Sequence, residues 1–89
     1  MPALFHVGRY RIVIYLNDHG PAHVHAIGPD GYARFALGRS QDDVELIEVE
    51  GISRASLRRI AGAIIDRHDE CSAAWRMFHG DPFASRKDR

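Results

Sequence analysis

Val44-Glu-Leu-Ile-Glu-Val-Glu50, Gly51-Ile-Ser53 and Arg54-Ala-Ser-Leu-Arg-Arg-Ile-Ala-Gly-Ala-Ile-Ile65 run consecutively, and the hydrophobic period changes between the first segment and the last. Residues 44–49 alternate as a strand does, with a slip between Leu46 and Ile47 that predicts a β-bulge. Beyond Gly51, Leu57, Ile60, Ala61, Ile64, Ile65, His68, Cys71, Trp75 and Phe78 recur at helical spacing, all but His68 apolar. Ser53 reads as the N-cap, although no Glu or Gln three residues on completes a capping box. Gly80-Asp81-Pro82 supplies the glycine stop and proline barrier of a C-terminus. One helix from Ser53 to about Phe78 is predicted.

Upstream of this switch everything reads as strand. Tyr10 to Asn17 is rich in β-branched and aromatic residues and closes on Asn17-Asp-His-Gly-Pro21, a dense turn signal. Residues 22–27 form a second run, ended by Gly28-Pro-Asp-Gly31, whose chemistry turns the chain back into a third run over 32–37. With 44–49 as the fourth, the prediction is an α+β domain: a four-stranded antiparallel sheet with one long C-terminal helix packed on one face. Alternation places Ile12, Ile14, Leu16, Val24, Ala26, Phe35 and Leu37 under the helix. The opposite face then carries Arg11, Val13, Tyr15, His23, His25, Tyr32 and Arg34.

The 89 residues suffice for one domain, expected over 1–83 with a flexible tail over 84–89. A chain of this size makes a groove or open sheet face a better candidate site than a deep pocket. Hydrophobic residues at 45% and charged residues at 27% exclude wholesale disorder and low complexity. The longest apolar run, Ile12 to Leu16, is far short of a membrane span. The single cysteine, Cys71, cannot form an internal disulfide, and a cytoplasmic location is expected. Net charge is zero but segregated: residues 41–50 hold five acids and no base, while 51–89 hold eight bases against five acids. The zero sum gives no global basic field of the kind that most nucleic-acid binders carry.

The chemically unusual feature is His19, His23 and His25 within seven residues. In a strand His23 and His25 emerge on one face, roughly 7 Å apart. Three histidines could hold a divalent transition metal such as zinc, with Asp18 as another source of a ligand. Without metal, His19, His23 and His25 could act as acid and base in RNA cleavage, because an unperturbed imidazole titrates near pH ~6.5. Arg34 or Arg11 would then hold the phosphate, and Tyr15 or Tyr32 would stack on a base. The structural alternative has the imidazoles capping backbone groups or pairing with Asp18. Trp75 reads as helix-to-sheet core, His68 as a partly buried helix residue, Cys71 as a small packed hydrophobe, and the acids at 42–50 as a solvated edge.

Ile12-Val-Ile-Tyr-Leu, Asp18-His-Gly-Pro-Ala-His-Val-His25, Gly28-Pro-Asp-Gly-Tyr-Ala-Arg-Phe35, Gly51-Ile-Ser and Trp75-Arg-Met-Phe-His-Gly80 together resemble a small bacterial family of unknown function. Its hallmark is an H-x-P-P-H-V-H segment between the first two strands, and the resemblance spans about residues 5–81. Ala22 stands where the hallmark has its second proline, with all three histidines in place. The resemblance implies a toxin–antitoxin or stress module, with a small protein partner encoded nearby, and carries over no catalytic residue. Two functions follow as expectations: an RNA-acting toxin-type endoribonuclease, or a non-catalytic module that binds a metal or a protein, a homodimer through strand pairing included.

Overall fold

A computed structural model describes residues 3–80. The strands are β1 (Phe5–Val7), β2 (Tyr10–Val13), β3 (His23–Ile27), β4 (Tyr32–Ala36) and β5 (Glu45–Glu50), and the helices are α1 (Arg54–Asp66) and α2 (His68–His79). The strands form one antiparallel meander in the order β1-β2-β3-β4-β5. The α+β class is therefore as expected, but among the described residues the sheet has five strands and the helical part has two helices in place of the four strands and one long helix expected. The expected tail over 84–89 and the proline barrier at Pro82 lie outside the described residues.

The additional strand is short. Phe5-His-Val7 pairs with β2 through the two-residue turn Gly8-Arg9, where Gly8 takes a φ of 57° that favours glycine. Three residues interrupted by a histidine carry too little alternation to be read alone.

β2 ends at Val13, well before Asn17. The Tyr15 N–H donates to Asp18 Oδ2 at 2.8 Å, and the Asp18 N–H donates to the Tyr15 carbonyl at 3.1 Å. This side-chain turn takes up backbone groups that a ladder would have used. Ile14 stays buried, whereas Leu16 is thrown out to 67% exposure and leaves the expected core.

The helical period is unbroken through Ile60, Ile64, His68, Cys71 and Trp75, all of them buried, which is why the sequence reads as one helix. The chain nevertheless bends at Arg67 (φ −107°, ψ 29°). No proline or glycine stands there. The bend is held by tertiary contacts on both sides: the Arg67 guanidinium lies 4.7 Å over the Phe5 ring, and His68 Nε2 donates to the Leu37 carbonyl at 2.9 Å. The helix ends follow the sequence. Ser53 Oγ accepts from the Ser56 N–H at 3.1 Å, and Gly80, at φ 81°, donates its N–H to the Arg76 carbonyl.

The core is the helix-facing side of the sheet, with Ile12, Ile14, Val24, Ala26, Ala33, Phe35 and Leu37 against Ile60, Ile64, Cys71 and Trp75. Burial in this apolar layer pushes the Cys71 thiol up to about 12, so it packs as a hydrophobe. The bulge falls where the alternation slips: Arg34 pairs with Glu48 and Phe35 with Leu46, leaving Ile47 as the extra residue.

Two glycines give opposite expectations. Gly62 lies exposed inside α1, and a Cβ there meets open space, so Gly62→Ala should stabilise by about 0.5–1 kcal/mol. Gly51 has a φ of 70°, and a Cβ there would collide with the Asp30 carbonyl oxygen, so Gly51→Ala should cost about 1–3 kcal/mol. Urea unfolding of the two variants checks both signs.

Candidate functional site

The turn that ends β2 also aims Asp18 back at the sheet. His23 and His25 alternate in β3, so their rings leave on the same face, with centroids 4.9 Å apart. The Asp18 carboxylate sits against both: Oδ1 and Oδ2 each lie 3.1 Å from His25 Nε2, and Oδ1 lies 3.5 Å from His23 Nε2. One ligand atom from each of Asp18, His23 and His25 falls within 4.8 Å of the other two.

The far nitrogens decide what these near ones can do. His23 Nδ1 is 2.9 Å from the Pro21 carbonyl oxygen, which only accepts, so Nδ1 carries a proton. In the neutral ring Nε2 is then a lone pair pointed at a carboxylate oxygen. Exchanging the tautomer only moves the conflict to Pro21. Two acceptors facing one another in this way offer a place for a metal ion between them. His25 Nδ1 is 3.2 Å from the Tyr32 hydroxyl, which donates or accepts, so His25 Nε2 is free to be an N–H toward Asp18 or a lone pair toward a metal. Backbone carbonyls and hydroxyls on the distal nitrogen are the outer partners that orient metal-binding histidines. A tetrahedral ion with ligands at about 2.0–2.2 Å sets its ligand atoms roughly 3.3–3.6 Å apart; the two Asp18–His separations, 3.1 and 3.5 Å, lie near this range.

The electrostatics suit a charged Asp18 carboxylate and a neutral His25 ring. Burial pushes the Asp18 carboxyl up, but the Tyr15 N–H, the His25 hydrogen bond and the charges of His25 and His23 outweigh it, and the net shift is downward. Burial pushes the His25 pKa down, and the Asp18 hydrogen bond only partly offsets it. Burial also raises the Tyr32 phenol, with Glu48 adding to the effect, so its hydroxyl stays protonated. Aromatic rings wall the cluster. Tyr15 lies 4.9 Å from His25, Trp75 of α2 lies 5.1 Å from His23, and His79 stacks at 4.3 Å on Trp75 while its Nε2 meets the Tyr15 carbonyl at 3.0 Å.

The expected site residues separate into groups. His23, His25, Tyr15 and Tyr32 come together. His19 is exposed on the loop, outside the three converging atoms, and lines an open pocket of about 190 Å³ with Gly20, Pro21, His23 and Arg34. Arg34, opposite His25 in the β3–β4 register, forms an ion pair with Glu48 at 3.4 Å. Its Nε is buried without a partner. Arg11 is exposed beside Ile27, two positions along β2 from the Val13–His25 pair. Asp18, raised from the sequence as a further ligand and as a pairing partner for the imidazoles, is the hub. Its position in the turn signal was the available clue. The part played by His79 had no sequence signal, because it depends on the bend at Arg67 and the path of α2.

The sequence model of one family, a domain of unknown function (DUF4160), matches residues 8–76, more than three quarters of the chain. No curated protein and no solved structure matches. Among the described residues no helix is long and apolar enough to cross a membrane.

Proposed function

The chain belongs to the DUF4160 family, and we propose that it is a metal-binding module in which Asp18, His23 and His25 hold one divalent transition-metal ion. What supports this reading is the convergence of Asp18, His23 and His25, with His23 Nδ1 held by Pro21 O at 2.9 Å so that its Nε2 lone pair faces the Asp18 carboxylate. Two imidazoles and a carboxylate suit zinc and its neighbours in the first transition row. Three protein ligands leave a further position for water, for a substrate group or for His19 from the adjoining pocket.

Zinc binding to the purified protein, measured by dialysis and elemental analysis, tests the proposal. One ion per chain is expected. Asp18→Asn and His23→Gln should each weaken binding by more than about 100-fold, beyond the 10–100-fold typical of outer-partner losses, with circular dichroism unchanged. Binding that survives both substitutions would place any zinc elsewhere.

The RNA-acting reading uses the same face. In its support, Tyr32 and Arg34 flank His25, and Arg34 Nε has no protein partner. Against it, every ring nitrogen of His23 and His25 already faces a protein group, which leaves neither ring free to exchange protons with a substrate. Cleavage of RNA in excess chelator with a bell-shaped pH profile would favour acid–base chemistry over metal binding. The toxin-type role, a partner protein encoded nearby and a cytoplasmic location belong to this second reading and rest on the family resemblance and the lone cysteine.

A further inference from the structure

β5 is an edge strand with β4 on one side and no strand on the other among the described residues. All six of its residues are exposed, including Leu46, Ile47 and Val49 at 39, 49 and 39%. Edge strands are normally blunted by charges, proline, a bulge or a covering element; β5 has glutamates and the bulge at Ile47 but no lysine or proline, and its apolar side chains stay exposed among the described residues. Its two faces differ. Leu46 and Val49, paired with the core residues Phe35 and Ala33, lie on the helix side. There Leu46 borders an apolar groove of about 240 Å³, also lined by Phe35, Arg54, Leu57, Arg58 and Ala61. Glu45, Glu48 and Glu50, paired with Ala36, Arg34 and Tyr32, lie on the other side.

We propose that β5 is a docking edge for an extended segment of another protein in which basic and apolar residues alternate, added as a sixth antiparallel or parallel strand. Backbone pairing supplies the generic affinity in such strand addition, and alternate side chains supply the selectivity. The apolar residues of the incoming strand would cover Leu46, Val49 and the groove, and its basic residues would meet the glutamates. Residues 41–50 hold five acids and no base, so the charge required of the occupant is positive. A second copy of this chain fits poorly. Antiparallel self-pairing that sets Leu46 against Val49 also sets Glu45 against Glu50, and like charges directly opposite one another destabilise a sheet.

The test uses the full chain and an acetylated hexapeptide alternating arginine and valine. Saturable binding is expected, with slowed hydrogen exchange at the amides of residues 45–50. Glu45→Lys combined with Glu50→Lys should weaken binding by about tenfold or more. The proposal fails if no binding is seen up to about 1 mM peptide. It also fails if an arginine–proline control that cannot pair as a strand binds equally well, or if exchange slows elsewhere and not in β5. Should the free protein instead be a dimer that Ile47→Arg dissociates, the occupant is a second copy and the proposal is overturned.

Discussion

Trp75→Ala is expected to lower stability by about 3–5 kcal/mol, the range for truncating a buried aromatic. For a domain of this size that corresponds to a fall in Tm of roughly 12–40 °C, out of a total stability of only ~5–15 kcal/mol. Trp75 is 2% exposed and packs in the layer formed by Ile12, Val24, Phe35 and Leu37. The indole also stands between His79 and His23, so its removal frees one wall of the Asp18 cluster. Zinc affinity should therefore drop together with stability. Calorimetry with and without zinc measures both, and a melting curve identical to that of the parent would place Trp75 outside the core. Trp75→Phe keeps a ring against His23 and should lose less on each count.

The contrast between Trp75 and Asp18 shows what the sequence could convey. Trp75 was legible because helical periodicity continues through it, and burial follows periodicity whether or not the helix bends at Arg67. The bend itself depends on Phe5 and Leu37, which are remote in sequence, and periodicity carries no record of such contacts. Core residues on β2, β3 and β4 were legible for the same reason, since alternation fixes the face. Leu16 was misplaced because one hydrogen bond from the Tyr15 N–H to Asp18 ends the strand early, a competition between side chain and ladder that composition does not rank. That same bond brings Asp18 to His23 and His25. The histidines were legible as a pair on one strand face and Asp18 as a partner for them, but that Asp18 rather than His19 completes the cluster became evident only with the turn in place. β5 reads correctly as a strand with an exposed acidic edge, whereas its apolar groove appears only once α1 is set beside Phe35 and Leu46.

Zinc added to the metal-free protein near pH 7.5 should raise Tm substantially if Asp18, His23 and His25 bind it. At a free concentration of about 100 times Kd, linkage gives ~2.7 kcal/mol, or roughly 10–20 °C for a domain of this size. The pH dependence has a definite sign. Burial holds the His25 pKa below its ordinary 6.5, with Asp18 opposing, and His23 and Arg34 adding to the depression. A histidine with a depressed folded-state pKa stabilises the fold fully above pH 6.5, where folded and unfolded rings are both neutral. That stabilisation is lost as pH falls from 6.5 through the lower folded value, because the unfolded ring takes up its proton first. Asp18, also depressed, adds a second loss below its ordinary 3.8. Zinc requires neutral rings and competes with the same protons, so the zinc-dependent rise in Tm should shrink across the upper of these two windows and return when pH is restored. His25→Gln removes the upper window in the metal-free protein and the zinc response together. A zinc response that stays constant as pH falls from about 7.5 through the folded-state titration of His25 would mean that this imidazole is not a ligand, since a protonated ring cannot bind the ion.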